Sequence, residues 1–114
     1  MMIAGCDDAV TMPCSDIAKF GVNVEVIDAV SRQRIPEGVR GAVIEGDHVD
    51  SLRVFRDLEG RISSLAGAVE RPGTYRVELV ATGYQPWTRS DVRVAQGACH
   101  VEPVSIQAEM VPGE

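Results

Sequence analysis

The stretch that decides the fold reads GTYRVELVATGYQPW and occupies residues 73–87. Apolar and polar residues alternate within it from Tyr75 to Ala81, and turn residues flank the alternation at Pro72-Gly73 and Thr82-Gly83. A period of two predicts a β-strand that buries one face and exposes the other to water. Such a strand belongs to a sheet packed on one side, so the chain is predicted to be an all-β domain.

The same alternation recurs along most of the chain. Strands are predicted at 21–27, 41–45, 51–56, 62–69, 74–81, 85–94 and 100–110, with turn residues between them. Seven short strands predict an antiparallel β-sandwich, whose sixth strand is broken near Pro86 or Asp91. One alternative stays open, because Val49, Leu52 and Phe55 are spaced three apart, as on a helix over 47–58.

The inward faces of three strands can be predicted residue by residue, because side chains alternate between the two faces of a strand. They are the valines of the first strand and the apolar residues of the fifth and the last: Val22, Val24, Val26, Tyr75, Val77, Leu79, Ala81, Val104, Ile106, Ala108 and Met110.

Composition limits the classes of protein that fit. A chain of 114 residues favours one domain, here predicted at 19–111 after an N-terminal tether at 1–18. Apolar residues make up 45% and aromatics only 4%, so the core must be built mainly from Val, Ile, Leu and Ala. The net charge of −6, with arginines spread along the sequence, argues against a nucleic-acid partner. No apolar run is long enough to span a bilayer.

The three cysteines are the next signal. Cys14 precedes the first predicted strand and Cys99 stands at the start of the last, and these two strands can be neighbours in a sandwich. A Cys14–Cys99 disulfide is therefore predicted, and in the chain-entropy model it stabilises the fold by roughly 4–5 kcal/mol. A disulfide implies an oxidising compartment, and hence export. The alternative is a cytosolic protein with three free or buried thiols. The spacing of a zinc site is missing.

Cys6 is left over by this pairing. The sequence Ile3-Ala4-Gly5-Cys6 resembles the end of a bacterial lipoprotein signal, in which small residues precede the lipidated cysteine. The basic and apolar regions of such a signal do not precede it here. We expect a periplasmic protein or a lipoprotein that meets the membrane only through a lipid on Cys6. A plain N-terminal extension is the alternative.

Few residues suggest catalysis. His48 stands near Asp47 and Asp50, a set that could bind a cation or exchange a proton. His100 alternates with Glu102, and the two could ligate a metal with a third group. The simpler interpretations are a polar loop and a solvent-facing pair. Ser63-Ser64 has no base nearby in sequence, and no nucleophile elbow or phosphate loop is present. We therefore expect no enzyme activity, no metal site and no cofactor.

A resemblance to one family accompanies the fifth strand. The pattern Pro-Gly-Thr-Tyr-x-Val-x-Leu-x-Ala-x-Gly-Tyr at 72–84 resembles that of the carboxypeptidase regulatory-like domains, and Val22-x-Val24-x-Val26-x-Asp28-Ala29 is similar to their first strand. The resemblance implies a transthyretin-like or immunoglobulin-like sandwich of seven strands, common in exported bacterial proteins and without a shared active site. Hydroxyisourate hydrolase has a similar architecture, but its C-terminal Tyr-Arg-Gly-Ser is absent here.

From these features we expect a non-enzymatic exported domain for protein interaction or structural support, acting through strand edges or loops. The alternative is a module that binds a carbohydrate or a peptide on Tyr84 and Trp87, which flank Pro86. These two rings could instead cap one end of the sandwich, with the Tyr84 hydroxyl bonded to backbone. A hydrolase of transthyretin-like fold is a third possibility that lacks its signature.

Overall fold

The described residues of the computed structural model, Cys14 and 17–113, form strands joined by turns and contain no helix. The strands are β1 (Phe20–Asp28), β2 (Val39–Glu45), β3 (His48–Ser51), β4 (Arg53–Arg56), β5 (Ile62–Val69), β6 (Gly73–Ala81), β7 (Trp87–Gln96), β8 (Val101–Glu102) and β9 (Val104–Met110). The all-β class predicted from the alternation is confirmed. The predicted number of seven strands is wrong, since the described residues form nine.

Two sheets pack face to face around a shared core. One has four strands in the order β9-β1-β5-β4, and the other has five in the order β3-β2-β6-β7-β8. Neighbouring strands are antiparallel except β9 and β1, which run parallel with Ile106 opposite Val24. The fully antiparallel sandwich predicted from the sequence is therefore wrong at this pair. The first and last strands are neighbours, as the cysteine argument required.

Two of the predicted strands each split in two, because the chain passes from one sheet to the other in their middle. The segment predicted at 51–56 spans the end of β3, the buried Leu52 and β4, and these two strands border different sheets. The segment predicted at 100–110 splits into β8 and β9 at Pro103, which has no N–H to continue a ladder. On each side of the sandwich, the chain thus passes from one sheet to the other within a single predicted strand.

Strand β3 is the element that the sequence does not predict. Gly46, at φ +57°, and Asp47 form a two-residue turn, so the chain folds back on β2 with His48 opposite Glu45. The helix considered for 47–58 is wrong. Val49, which would lie on its apolar stripe, is 62% exposed at the border of the five-stranded sheet.

The core between the sheets is largely aliphatic, and the predicted inward faces supply much of it. Ala81 and Val104 are half-buried, and the other nine predicted residues are buried: Val22, Val24, Val26, Tyr75, Val77, Leu79, Ile106, Ala108 and Met110. The Tyr75 hydroxyl donates to the backbone carbonyl of Arg71 at 2.8 Å, which satisfies its polar atom.

The sixth predicted strand is expected to break near Pro86 or Asp91, and the break is found at Asp91. This residue has φ +58°, and the register between β6 and β7 shifts beside it. A bulge of this kind increases the local twist of the strand.

A disulfide joins Cys14 to Cys99, whose Cα atoms lie 5.3 Å apart across a sequence separation of 85 residues. The predicted pairing is confirmed. Because Cys99 lies just before β8, the bridge ties the N-terminal segment to the strand that continues into β9. Cys6 and most of the predicted tether lie outside the described residues. No helix within the described part is long and apolar enough to cross a membrane.

Candidate functional site

Tyr84, one of the two predicted binding residues, connects three parts of the fold. It follows β6, packs half-buried against the core, and forms an isolated bridge with Pro112 beyond β9. Its hydroxyl donates to Asp28 Oδ2, at the end of β1, at 2.6 Å. The capping alternative from the sequence predicts a bond from this hydroxyl to backbone, whereas its acceptor is the Asp28 side chain.

The bond between Tyr84 and Asp28 belongs to a small polar cluster. It is the main reason that the pKa of Asp28 lies below its ordinary value, and the N–H groups of Ser31 and Val30 add to the effect by donating to the same carboxylate. The bond to Asp28 also raises the pKa of Tyr84. Since the hydroxyl donates to Asp28, its proton is not available to a ligand.

Trp87, the second predicted binding residue, begins β7 and is also half-buried. It lies opposite Leu79 of β6 and packs against the core, while the Arg89 guanidinium lies 5.4 Å from the centroid of its ring. A cation over an aromatic face is attracted to the ring and covers it. The rings of Tyr84 and Trp87 thus both pack against the core, and their role in ligand binding stays a prediction.

The two histidines occupy opposite borders of the five-stranded sheet. His48 begins β3 and is exposed, and His100 immediately precedes β8. Four strand spacings separate these borders, which amounts to about 19 Å. Glu102 is exposed, whereas His100 contacts Glu70. Among the residues that the structure describes, no group of three or more His, Cys, Asp or Glu side chains could hold a metal ion.

Asp47, His48 and Asp50 are close in sequence but differ in how exposed they are. Asp47 and His48 are exposed, whereas Asp50 is half-buried and its Oδ2 accepts a hydrogen bond from the Ala68 N–H at 3.0 Å. Ala68 has a left-handed backbone with φ +57°, which interrupts the regular ladder of β5. Its N–H therefore needs another acceptor, and Asp50 serves as a structural carboxylate between β3 and β5.

His100 belongs to a polar junction that sequence reasoning missed. Its Nδ1 contacts Glu70 Oε2, and the same carboxylate accepts from the N–H groups of Lys19, at 2.9 Å, and Val101, at 3.1 Å. The Lys19 N–H is the largest cause that holds the pKa of Glu70 below its ordinary value. Cys99 adjoins His100, so Glu70 and the disulfide fasten the same segments together. No local sequence signal pairs residues thirty positions apart.

The two borders of the four-stranded sheet differ in length and regularity. β4 has four residues, its register shifts between Phe55 and Arg56, and the Arg56 side chain is bound to Glu37 and to the Gly60 carbonyl, both at 2.8 Å. β9 has seven residues in unbroken register with β1. In the described part of the chain it pairs with no strand on its other side, although it lies near β7 of the facing sheet.

Alternate residues of β9 direct their backbone groups away from the sheet. The Met110 carbonyl accepts from the Ala29 N–H at 2.9 Å, so the backbone groups of Met110 face β1. The direction alternates along a strand, so those of Ile106 and Ala108 face β1 as well. The outward N–H and C=O groups are those of Ser105, Gln107 and Glu109.

Two cavities of the described residues lie away from Tyr84, Trp87, His48 and His100. One of about 450 Å³ is lined by Arg34, Asp57 and Arg61, and another of about 410 Å³ lies over the four-stranded sheet. Comparison with models of known protein families and with curated proteins finds no match to this chain. The fold class therefore rests on the strands themselves.

Proposed function

We propose that this chain is a non-enzymatic, exported β-sandwich domain that binds or supports a protein partner, and that the partner adds an extended segment to β9. The observation that carries the proposal is the open border of β9, with the outward backbone groups of Ser105, Gln107 and Glu109. An added strand forms main-chain hydrogen bonds with such groups, and its alternate side chains give specificity.

The side chains at this border support the addition of a strand. β9 contains no proline, and its one carboxylate, Glu109, is paired with Arg32 at 3.0 Å. Gln107 is exposed and donates to Glu25 at 3.3 Å. Lysines, prolines, bulges and inward-pointing charges are the devices by which sheet borders usually keep other strands away, and β9 has none of them.

The disulfide supports the exported location, because such bonds persist in oxidising compartments. The finer parts of the proposal are a carboxypeptidase regulatory-like, transthyretin-like domain, and either a lipid on Cys6 or a free periplasmic form. An alkyne-labelled fatty acid supplied to the producing cell tests the lipid. Labelling of the wild-type protein but not of Cys6→Ser supports it, and labelling of neither removes it.

A backbone substitution tests strand addition directly. Gln107→Pro removes an N–H that the fold leaves unused but that an added strand needs, and Gln107→Thr changes the same side chain while keeping that N–H. Envelope proteins captured by the wild type and by Gln107→Thr should be lost with Gln107→Pro. Equal capture by all three proteins, or no capture by any of them, would contradict strand addition at β9.

A further inference from the structure

A groove of about 410 Å³ crosses the outer face of the four-stranded sheet. Its volume lies within the range of small-molecule sites. Strand register arranges its surroundings in two rows. The first row runs over Arg53, Ala66, Asn23 and Ser105. The second pairs Phe55 with Ser64 and Glu25 with Gln107, and Ser64 and Glu25 both line the groove.

The floor of the groove is made of short polar side chains with unused bonding capacity. Ser64 and Ser105 line it, and neither hydroxyl is hydrogen-bonded to another described residue. Asn23 Nδ2 donates to the Phe20 carbonyl at 3.1 Å, which fixes the amide plane and leaves its Oδ1 free to accept. A ligand on this floor therefore meets hydroxyl and amide groups set among the apolar surface to which Val24 and Ile106 contribute.

One end of the groove carries a planar, ionised acceptor. Glu25 accepts from Arg34 Nε at 3.0 Å through one oxygen and from Gln107 Nε2 at 3.3 Å through the other. The bond to Arg34 is the largest cause that lowers the pKa of Glu25. Each carboxylate oxygen keeps a further lone pair, so the group can still accept from a hydroxyl.

Aromatic surface lies beside the groove, next to Ser64. The rings of Phe20 and Phe55 pack edge to face at 5.5 Å, and the Arg53 guanidinium lies 5.7 Å from the Phe20 centroid. Phe55 is 38% exposed and stands opposite Ser64. Three strand spacings, about 14 Å, separate Phe55 from Gln107 across the face.

We propose that this face binds a short neutral oligosaccharide. Sugar rings present apolar C–H faces that stack on aromatic rings and hydroxyls that bond to fixed amides, hydroxyls and carboxylates. Phe55 supplies the aromatic ring for stacking. Asn23, Ser64 and Glu25 supply the groups that bond to the sugar hydroxyls. A ligand without hydroxyls would leave the floor unsatisfied. An anion would meet the Glu25 carboxylate, since the neighbouring Arg34 is already bound to it.

This site is distinct from the aromatic loop suggested by the sequence. The hydroxyl of Tyr84 is held by Asp28 and the ring of Trp87 lies under Arg89, whereas the Ser64 and Ser105 hydroxyls of the sheet face are not bonded to another described residue. The two sites can be separated by experiment, because no residue belongs to both.

Titration followed by backbone amide resonances tests the proposal. The probes are neutral trisaccharides of glucose, galactose, mannose, xylose and N-acetylglucosamine, at up to about 10 mM. At least one should shift the amides of Asn23, Ser64 and Ser105. Phe55→Ala and Asn23→Ala should each weaken binding about fivefold. Leu58→Ala, in an exposed turn, should leave it unchanged.

A further variant covers the case in which Phe55→Ala unfolds the protein. Ser64→Val keeps the strand while replacing the hydroxyl on the floor with methyl groups, and it should also weaken binding. The proposal is overturned if no trisaccharide shifts these amides, or if Ser64→Val binds as tightly as the wild type. It is also overturned if the shifts gather at Trp87 and disappear in Trp87→Ala.

Discussion

The strands β4 and β9 border the same sheet, but they are built in opposite ways. β4 is short, shifts register, and has Arg53 and Arg56 at its ends. β9 is longer, regular and almost uncharged. Short length, irregularity and charge are what keep a border strand from pairing with another chain. Among the described residues, this fold thus protects the β4 border and leaves residues 104–110 unpaired on one side, which is why we assign partner binding to β9.

The two borders also differ in how firmly they are held. β9 buries Ile106, Ala108 and Met110, whereas the apolar contribution of β4 to the core is the half-buried Val54. The chain that leads into β9 is fastened by the disulfide at Cys99. A border fixed before binding loses little conformational freedom when a partner strand is added. The open border is therefore also the preorganised one.

We expect loss of the disulfide, which lies on the β9 side of the fold, to change the free energy of unfolding most. Replacing both Cys14 and Cys99 by Ala should lower the free energy of unfolding by about 4 kcal/mol, because the bridge closes a loop across 85 residues. Urea denaturation of the oxidised wild type and the double variant measures the difference. A loss below about 1 kcal/mol would contradict the large entropic contribution expected from this bridge.

The next prediction compares the two strands by truncating one inward side chain in each. Ile106→Ala, in buried β9, should lower the free energy of unfolding by about 3 kcal/mol, whereas Val54→Ala, in half-buried β4, should cost about 1 kcal/mol. Both are measured by the same denaturation. Equal losses would mean that β4 and β9 contribute alike to the core.

A smaller effect concerns pH and the end of β9, where Met110 lies opposite Asp28. The folded pKa of Asp28 is depressed, chiefly by the Tyr84 hydroxyl, so its stabilisation is complete above the ordinary value of 3.8 and is lost as pH falls through the folded pKa. Tyr84→Phe should lower the melting temperature at neutral pH. The difference from the wild type should shrink below about pH 4. A difference independent of pH would exclude the carboxylate as the source.

The smallest effect is expected on the β4 side. Arg56→Gln removes the exposed pair with Glu37, which should cost less than about 1 kcal/mol in denaturation. Light scattering should still report a monomer or the wild-type oligomer, because β4 remains short and irregular. New self-association of this variant would show that Arg56 alone protects that border.

Alternation along the chain predicts the all-β class, most of the strand positions and much of the core. Val22 to Val26 and Tyr75 to Leu79 each bury one face, because a period of two leaves little choice once one side is covered. The Cys14–Cys99 bridge also followed, from the adjacency of the first and last strands.

What could not be predicted depends on pairing between distant segments. In β3 the polar Asp50 points inward to Ala68 while the apolar Val49 is exposed. The polarity of these residues therefore does not indicate which face of the strand is buried. The parallel direction of β9 leaves no mark on the sequence, since both directions use the same alternation. The contact of Glu70 with His100 likewise depends on the completed fold. The candidate border and groove are products of these pairings.

Amide hydrogen exchange along β9 in the free protein tests the open border most directly. We expect the amides of Ile106, Ala108 and Met110 to be protected by their bonds to β1, while those of Ser105, Gln107 and Glu109 exchange at rates close to those of exposed amides. Uniform protection of all six amides would mean that the border is already paired in solution, and would contradict strand addition at β9.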